Sequence, residues 1–152
     1  MWSLDVVKKG IRRNILADDL MSSLKISAAG MRAQGTRLRV ISQNIANANS
    51  LGTEPGQDPY RRKNIVFEDV LDRKLGVDLV RVKRLGEDNS KFGERFDPSH
   101  PAANEAGYVK TPNVNTLIEV MDMREAQRSY EANLTAIRSA RSMMQKTIGL
   151  LR

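Results

Sequence analysis

The 152-residue chain contains no cysteine, which excludes disulfides, thiolate metal sites and a cysteine nucleophile. That absence suits the cytoplasm and an export route without oxidative folding equally well. Aromatic residues make up 5% of the chain, with one Trp, three Tyr and three Phe. A core must therefore be built from Leu, Ile, Val, Met and Ala, a palette suited to helix packing more than to a sandwich. The single histidine, His100, stands between Ser99 and Pro101 with no second imidazole to join it, so it reads as a loop residue rather than a ligand or general base. No stretch approaches the roughly 18 consecutive apolar residues of a membrane span. Met1 to Leu20 also lacks the compact apolar segment and small-residue cleavage site of a removable signal.

What is present is charge of one sign in excess and a length for one domain. The formal charge of +7 and the pI near 10.0 admit nucleic acid, an anionic membrane surface or an acidic partner without choosing between them. Arg61, Arg62 and Lys63 form one basic run and Arg81, Lys83 and Arg84 another, yet no nucleic-acid-binding motif accompanies them and few aromatics are available for stacking. Glu68, Asp69 and Asp72, and separately Glu87 and Asp88, have no placed partner of the kind acid–base chemistry requires. Gly30 to Gly35 lacks both the Lys-Ser/Thr ending and the alternating-glycine spacing of a phosphate loop. These absences predict no catalytic residue, no cofactor and no metal.

Two long amphipathic helices are predicted, Leu24 to Ala48 and Thr116 to Leu151. In the first, Leu24, Ala28, Met31, Gly35, Leu38, Ile41 and Ile45 recur in a near four-three alternation. In the second, Tyr130, Leu134, Ile137, Ala140, Met144, Ile148 and Leu151 do the same, after a Thr116/Glu119 capping box. Ala28, Ala29, Gly30, Ala33 and Gly35 are small enough to let another helix backbone approach, at the expense of intrinsic helix stability. Asn44 and Asn47 lie three apart on one face, where amides can fix register across a helix contact; a plain helix ending before Gly52 is the competing reading. Upstream, Val7, Ile11 and Ile15 recur beside Lys8, Lys9, Arg12 and Arg13 and would form a short basic amphipathic helix weakened by Gly10. A docking or membrane-surface role for it stands beside a loosely packed extension, or a start at Met21.

Between the helices, Ser50 to Pro59 is dense turn chemistry. Tyr60 to Phe67 and Val77 to Leu85 read as strands, Lys91 to Phe96 as a short third, and Tyr108 to Asn115 as an extended or turn segment around Pro112. So small a sheet must lean on the helices or on a neighbour. The predicted architecture is mainly α with a small β insert. It has an extension at 1–20, a helical assembly domain from 21–49 with 115–152 packed as a coiled-coil-like layer, and a β-rich middle domain at 50–114. A 36-residue helix, about 54 Å long, cannot bury its whole stripe against a 25-residue partner, so other chains are required.

Two terminal stretches, Ile45-Ala46-Asn47-Ala48-Asn49 and Tyr130-Glu131-Ala132-Asn133-Leu134, resemble the N- and C-terminal signatures of the bacterial flagellar rod and hook family of axial proteins. Asp58-Pro59-Tyr60-Arg61-Arg62-Lys63, Asp97-Pro98-Ser99-His100-Pro101, Gly107-Tyr108-Val109-Lys110-Thr111-Pro112-Asn113-Val114-Asn115 and Met121-Asp122-Met123 are similar to stretches of its proximal rod subunits. The resemblance runs from about Met21 to the C-terminus; Met1 to Leu20 and the loop Ser50 to Gln57 depart from the family pattern. It implies a structural, non-enzymatic subunit, exported unfolded without cleavage by the flagellar type III apparatus. Such a subunit assembles in the periplasmic rod with copies of itself, other rod proteins, and the membrane ring and rod adaptor at the base. It implies no nucleic-acid partner and no membrane span. The assembly interface would comprise Leu24, Ala28, Met31, Leu38, Ile41, Asn44, Ile45, Asn47, Tyr130, Asn133, Leu134, Ile137, Met144, Ile148 and Leu151, with the two helices paired either within one subunit or between neighbours. Another flagellar axial or adaptor subunit, and more distantly a basic nucleic-acid-binding helical protein, are the competing functions.

Overall fold

A helix that keeps small and apolar residues on its inner side over many turns has little reason to stop, and the computed structural model carries this one the whole way. It describes residues 3–149, with side chains from residue 18 onward. Helix α1 spans Ser3–Ala46, 44 residues and about 66 Å. The predicted separate start near Leu24 is thus replaced by one continuous helix. A single interior glycine such as Gly10 costs about 1 kcal/mol, less than ending one helix and nucleating another. The side chains of the basic stripe Val7 to Ile15 lie outside the described residues. At its other end α1 stops at Ala46, two residues short of expectation, as the backbone tightens through Ala48 N–H to Ile45 O at 3.2 Å. Asn47 closes this end, donating Nδ2–H to Gln43 O at 2.8 Å and accepting from Ser50 Oγ at 3.1 Å.

Helix α2 spans Thr116–Gly149, and Asn115 caps it: its Oδ1 accepts the Leu117 and Ile118 N–H groups at 3.1 and 3.3 Å. The expected Thr116/Glu119 box does not form. Asn115 is an equally good cap one residue earlier, and it leaves Glu119 available for an inward role.

Strands β1 (Lys63–Asp72) and β2 (Val77–Glu87) form one two-stranded sheet, turned at Asp72, whose carbonyl accepts the Leu75 and Gly76 N–H groups. Strands β3 (Gly93–Phe96) and β4 (Tyr108–Thr111) form a second, antiparallel sheet, in register from Gly93 opposite Thr111 to Phe96 opposite Tyr108. The 91–96 stretch is therefore not a third strand of the first sheet; its partner is the segment read as extended or turn. The connection folds back on itself through Asn104, whose Oδ1 accepts from Ala106 N and Tyr108 N, and through Gly107 O, which accepts from Asp97 N at 2.9 Å. Gly107 sits at φ +80°, and a Cβ there would lie 2.9 Å from Phe96 Cε2, so both backbone and space demand glycine.

The chain divides into two compact units. The first comprises Met1–Gln34, Glu68–Arg81 and Arg128–Arg152. Its buried residues are small: Ser27, Ala29 and Ala33 of α1 and Ala140 of α2. Gly30 sits so close to α2 that a Cβ would meet the Asn133 amide at 2.9 Å. The second comprises Gly35–Phe67 and Val82–Gln127, and buries Val40, Ile41, Asn44, Ala102, Val109, Glu119 and Ala126. In each unit α1 meets α2 of the same chain, at Gly30–Asn133 in the first and at Asn44–Glu119 in the second. The terminal helices thus pair within one subunit, where α1 buries Ser27, Ala29 and Ala33 in the first unit and Val40, Ile41 and Asn44 in the second.

Candidate functional site

The second unit is organised around one buried amide. Asn44, 1% exposed, donates Nδ2–H to Lys63 O at 2.9 Å and to Glu119 Oε2 at 3.1 Å. Its Oδ1 accepts from Lys63 N at 2.9 Å and from Tyr60 Oη at 3.0 Å. Both donors and both lone pairs are used, the full capacity of the side chain. Glu119, also 1% exposed, is a buried carboxylate, tolerable only when paired. Arg62 supplies that pair, with Nε–H donating to Glu119 Oε1 at 2.6 Å, and its guanidinium reaches Asp88 at 3.7 Å and Asp122 at 3.8 Å. Asp122 in turn pairs with Arg37 of α1 at 3.3 Å.

Asn113 completes the cluster from the other side. Its Oδ1 accepts the Arg62 N–H at 2.8 Å, while Nδ2–H donates to Asp88 O and Ser90 Oγ, each at 2.9 Å. The Asp88 N–H donates to Arg62 O at 2.8 Å. Residues from three separated motifs, Asn44, Tyr60 with Arg62, and Asn113, are thereby joined to the start of α2. Arg61 lies over the Phe92 ring at 4.2 Å, a cation–π contact. Burial, then the Glu119 and Glu87 charges, push the Tyr60 phenol above its ordinary value. Asp88 is held below the usual carboxylate range by the Ser90 N–H and hydroxyl and by Arg62.

The Asp97–Pro101 motif makes a self-contained loop. Ser99 Oγ donates to Asp97 Oδ1 at 3.0 Å, Arg95 pairs with Asp97 at 3.1 Å, and His100 Nδ1 accepts the Ala102 N–H at 3.1 Å. Pro98 packs against Gly107, whose added Cβ would be 3.1 Å from it. Pro98 and Pro101 are exposed, Pro112 is buried and Val114 half-buried. Phe96 and Tyr108 stack edge to face with centroids 5.3 Å apart, yet stay 63% and 44% exposed. Lys110 pairs with Asp58 at 2.8 Å, and that contact holds the Asp58 carboxyl below its ordinary range.

Of the other residues expected at the assembly interface, Ile41 lies in the buried set with Asn44. Leu24, Ala28, Met31, Leu38 and Ile45 of α1 are half-buried, as is Asn47 just after its end. On α2, Tyr130, Asn133, Leu134, Ile137 and Met144 are half-buried and Ile148 is 64% exposed; Leu151 lies outside the described residues. Sequence reasoning missed Glu119 as a buried partner, together with Arg37, Asp88 and Asp122. A signal existed, since Glu119, Ala126, Asn133 and Ala140 recur every seven residues, which places the acid on the inner face.

Among the described residues no cluster of His, Cys, Asp or Glu could hold a metal ion, and no helix is long and apolar enough to cross a membrane. An open groove of about 310 Å³ beside the cluster is walled by Arg37, Arg62, Glu119 and Asp122, but these charges are already paired with one another. The arrangement is a clasp that fixes strands and loops to two helices, with no nucleophile and base set against each other.

In the second unit a polar clasp joins strands and loops to α1 and α2, while Leu117, Ile118 and Met121 of α2 stay exposed, an arrangement suited to packing against other chains. Residues 105–150 match the family described as Flagellar basal body rod FlgEFG protein C-terminal. The chain is 53% identical to the flagellar basal-body rod protein FlgC of Agrobacterium fabrum over 89% of its own length and 97% of that protein. It is 38% identical to FlgC of Borreliella burgdorferi, covering 87% and 97% of the two chains, and 37% identical to FlgC of Salmonella typhimurium, covering 86% and 97%. The chain belongs to the FlgC family of flagellar basal-body rod proteins. It is therefore a structural subunit of the bacterial flagellar basal body, of a family that is not an enzyme family, and it assembles with other rod proteins.

Proposed function

We propose that the chain builds the proximal rod through its terminal helices, which form the inner wall of a periplasmic tube that transmits torque. In this reading 21–49 with 115–152 is the assembly domain, 50–114 the outer layer, and 1–20 an extension carrying further helix. The partners are copies of itself, neighbouring rod proteins, the membrane ring and rod adaptor at the base, and the type III export apparatus through which it passes unfolded. It catalyses no reaction and binds no nucleic acid, and Arg61 and Arg62 of the first basic run are already committed to Phe92, Glu119 and Asp88.

The observation that carries the reading is the apolar surface left on α2. Leu117, Ile118 and Met121 are 71%, 52% and 65% exposed within the first two turns of α2, an uncovered apolar cluster of the kind that marks a contact with another chain. Contacts in a helical array are head-to-tail and do not close, so each chain offers uncovered faces to its neighbours. Folding is then coupled to assembly, since burial against neighbours supplies what the interior glycines Gly10, Gly30 and Gly35 withhold from α1.

The test substitutes Ile45→Asp and Ile137→Asp separately and follows secretion, rod completion and swimming. Secretion should persist while rod completion and swimming fail. Normal swimming with both substitutions would sink the reading.

A further inference from the structure

Helix α1 carries two faces of different kind. The inner one, Ala29, Ala33, Val40, Ile41 and Asn44, is buried. The outer one is a strict three-four repeat. In the first unit it comprises Leu24, Ala28 and Met31, and in the second Gly35, Leu38, Ser42 and Ile45. Large residues recur every seven positions at 24, 31, 38 and 45, and small ones every seven at 28, 35 and 42. The large residues are only half-buried. Alternation of knobs and spaces at heptad spacing is what a second helix packs into.

The two glycines separate the faces. A Cβ on Gly30 would meet Asn133 at 2.9 Å, whereas a Cβ on Gly35 meets nothing within 4 Å. At 3.6 residues per turn Gly35 stands about 140° round the helix from Gly30. A mid-helix glycine weakens the helix relative to alanine, and the chain's own packing makes no use of the space this one leaves. Its use lies outside the chain.

Charge defines the occupant. From Leu20 to Thr53 there is no Asp or Glu, and Arg39 is exposed on the flank beside the repeat. A second copy of α1 laid on this face would set arginine against arginine. We propose that the outer face of α1, centred on Gly35 and Leu38, seats a helix of a different protein chain whose flanks are acidic. Opposite flanking charges set partner choice in such pairs. The proposal rests on the rod-subunit reading and adds which face binds and what kind of helix it takes.

Gly35→Met tests it, expressed in cells lacking the parent gene and also purified. The thermal midpoint of the purified chain should hold or rise, because the new side chain enters open space. Incorporation into purified basal bodies should fall by roughly tenfold or more, the effect of about 1.4 kcal/mol on binding. A clear drop in midpoint would show the face is occupied within the chain, and full incorporation would show it is not an interface; either overturns the proposal. Arg39→Glu, at an exposed position, should also lower incorporation while Arg39→Lys preserves it. Unchanged or improved incorporation of Arg39→Glu would point to a basic occupant such as a second copy, and overturn it too. Failure of the rod reading looks different, because deleting the gene would then leave rod completion intact.

Discussion

Substituting Asn44→Asp changes one amide nitrogen to oxygen with almost no change in shape, and so isolates the hydrogen-bond pattern of the clasp. The amide donates to Lys63 O and Glu119 Oε2 at 2.9 and 3.1 Å; a carboxylate can donate to neither. Each buried acceptor left without a donor costs about 1–3 kcal/mol. The introduced charge would also face the Glu119 carboxylate in a site where both positions are 1% exposed. About 4 kcal/mol of destabilisation follows from two lost bonds near the middle of that range. For a chain of this size that lowers the thermal midpoint by roughly 8–16 °C. Burial and the like charge both raise the pKa of the introduced carboxyl, so the deficit should shrink as the pH falls and protonation restores one donor. Circular dichroism melts of both proteins at neutral and mildly acidic pH provide the assay. A midpoint within about 2 °C of the parent at neutral pH, a deficit of under 1 kcal/mol by the same conversion, would refute the claim that Asn44 organises the unit.

Tyr60→Phe removes the bond to Asn44 Oδ1 and should cost about 1 kcal/mol at neutral pH. Because the Tyr60 pKa is raised, its contribution is complete below the ordinary value of 10.0 and is lost as the pH rises through the folded value. The parent should therefore lose stability more steeply above pH 10.0 than the variant, as read from urea unfolding against pH. Asp88 has the opposite sign: its pKa is lowered from 3.8, so its contribution is present above that value and is lost as the pH falls through the folded one. Asp88→Asn should flatten the acid limb of the same curve. Gly107→Ala imposes left-handed backbone strain of about 1–2 kcal/mol as well as a contact with Phe96, and should lower the melting midpoint by several degrees. An unchanged midpoint would mean that the 97–107 loop relaxes freely.

The long helices, the β insert and the family were legible because heptad spacing, turn residues and motif order are local properties of the chain. The rotation of α1 was harder to read. Large apolar residues such as Leu24, Met31, Leu38 and Ile45 dominate the periodicity, while the residues of α1 that the chain itself buries are Ser27, Ala29, Ala33, Val40, Ile41 and Asn44. Close helix approach selects small residues, and hydrophobicity patterns weigh those least. The pairing of 93–96 with 108–111 was hidden because it depends on side-chain bonds from Asn104 and on the left-handed Gly107, which no periodicity reports. Glu119 also fits the acidic position of a capping box, which by itself points it at the helix terminus. Its seven-residue spacing from Ala126, Asn133 and Ala140 marks the inner face, and its partners Asn44 and Arg62, 75 and 57 residues away, lie beyond the reach of any local pattern.

The central claim is that the terminal helices build the wall of the rod through faces the chain does not cover itself. A density map of the rod in purified basal bodies, traced for this chain, tests it most directly. The account predicts α1 and α2 paired within each subunit and lining the inner wall, with a helix of another chain seated against Gly35 and Leu38. A map in which both helices face outward, with that side of α1 open to solvent, would contradict it.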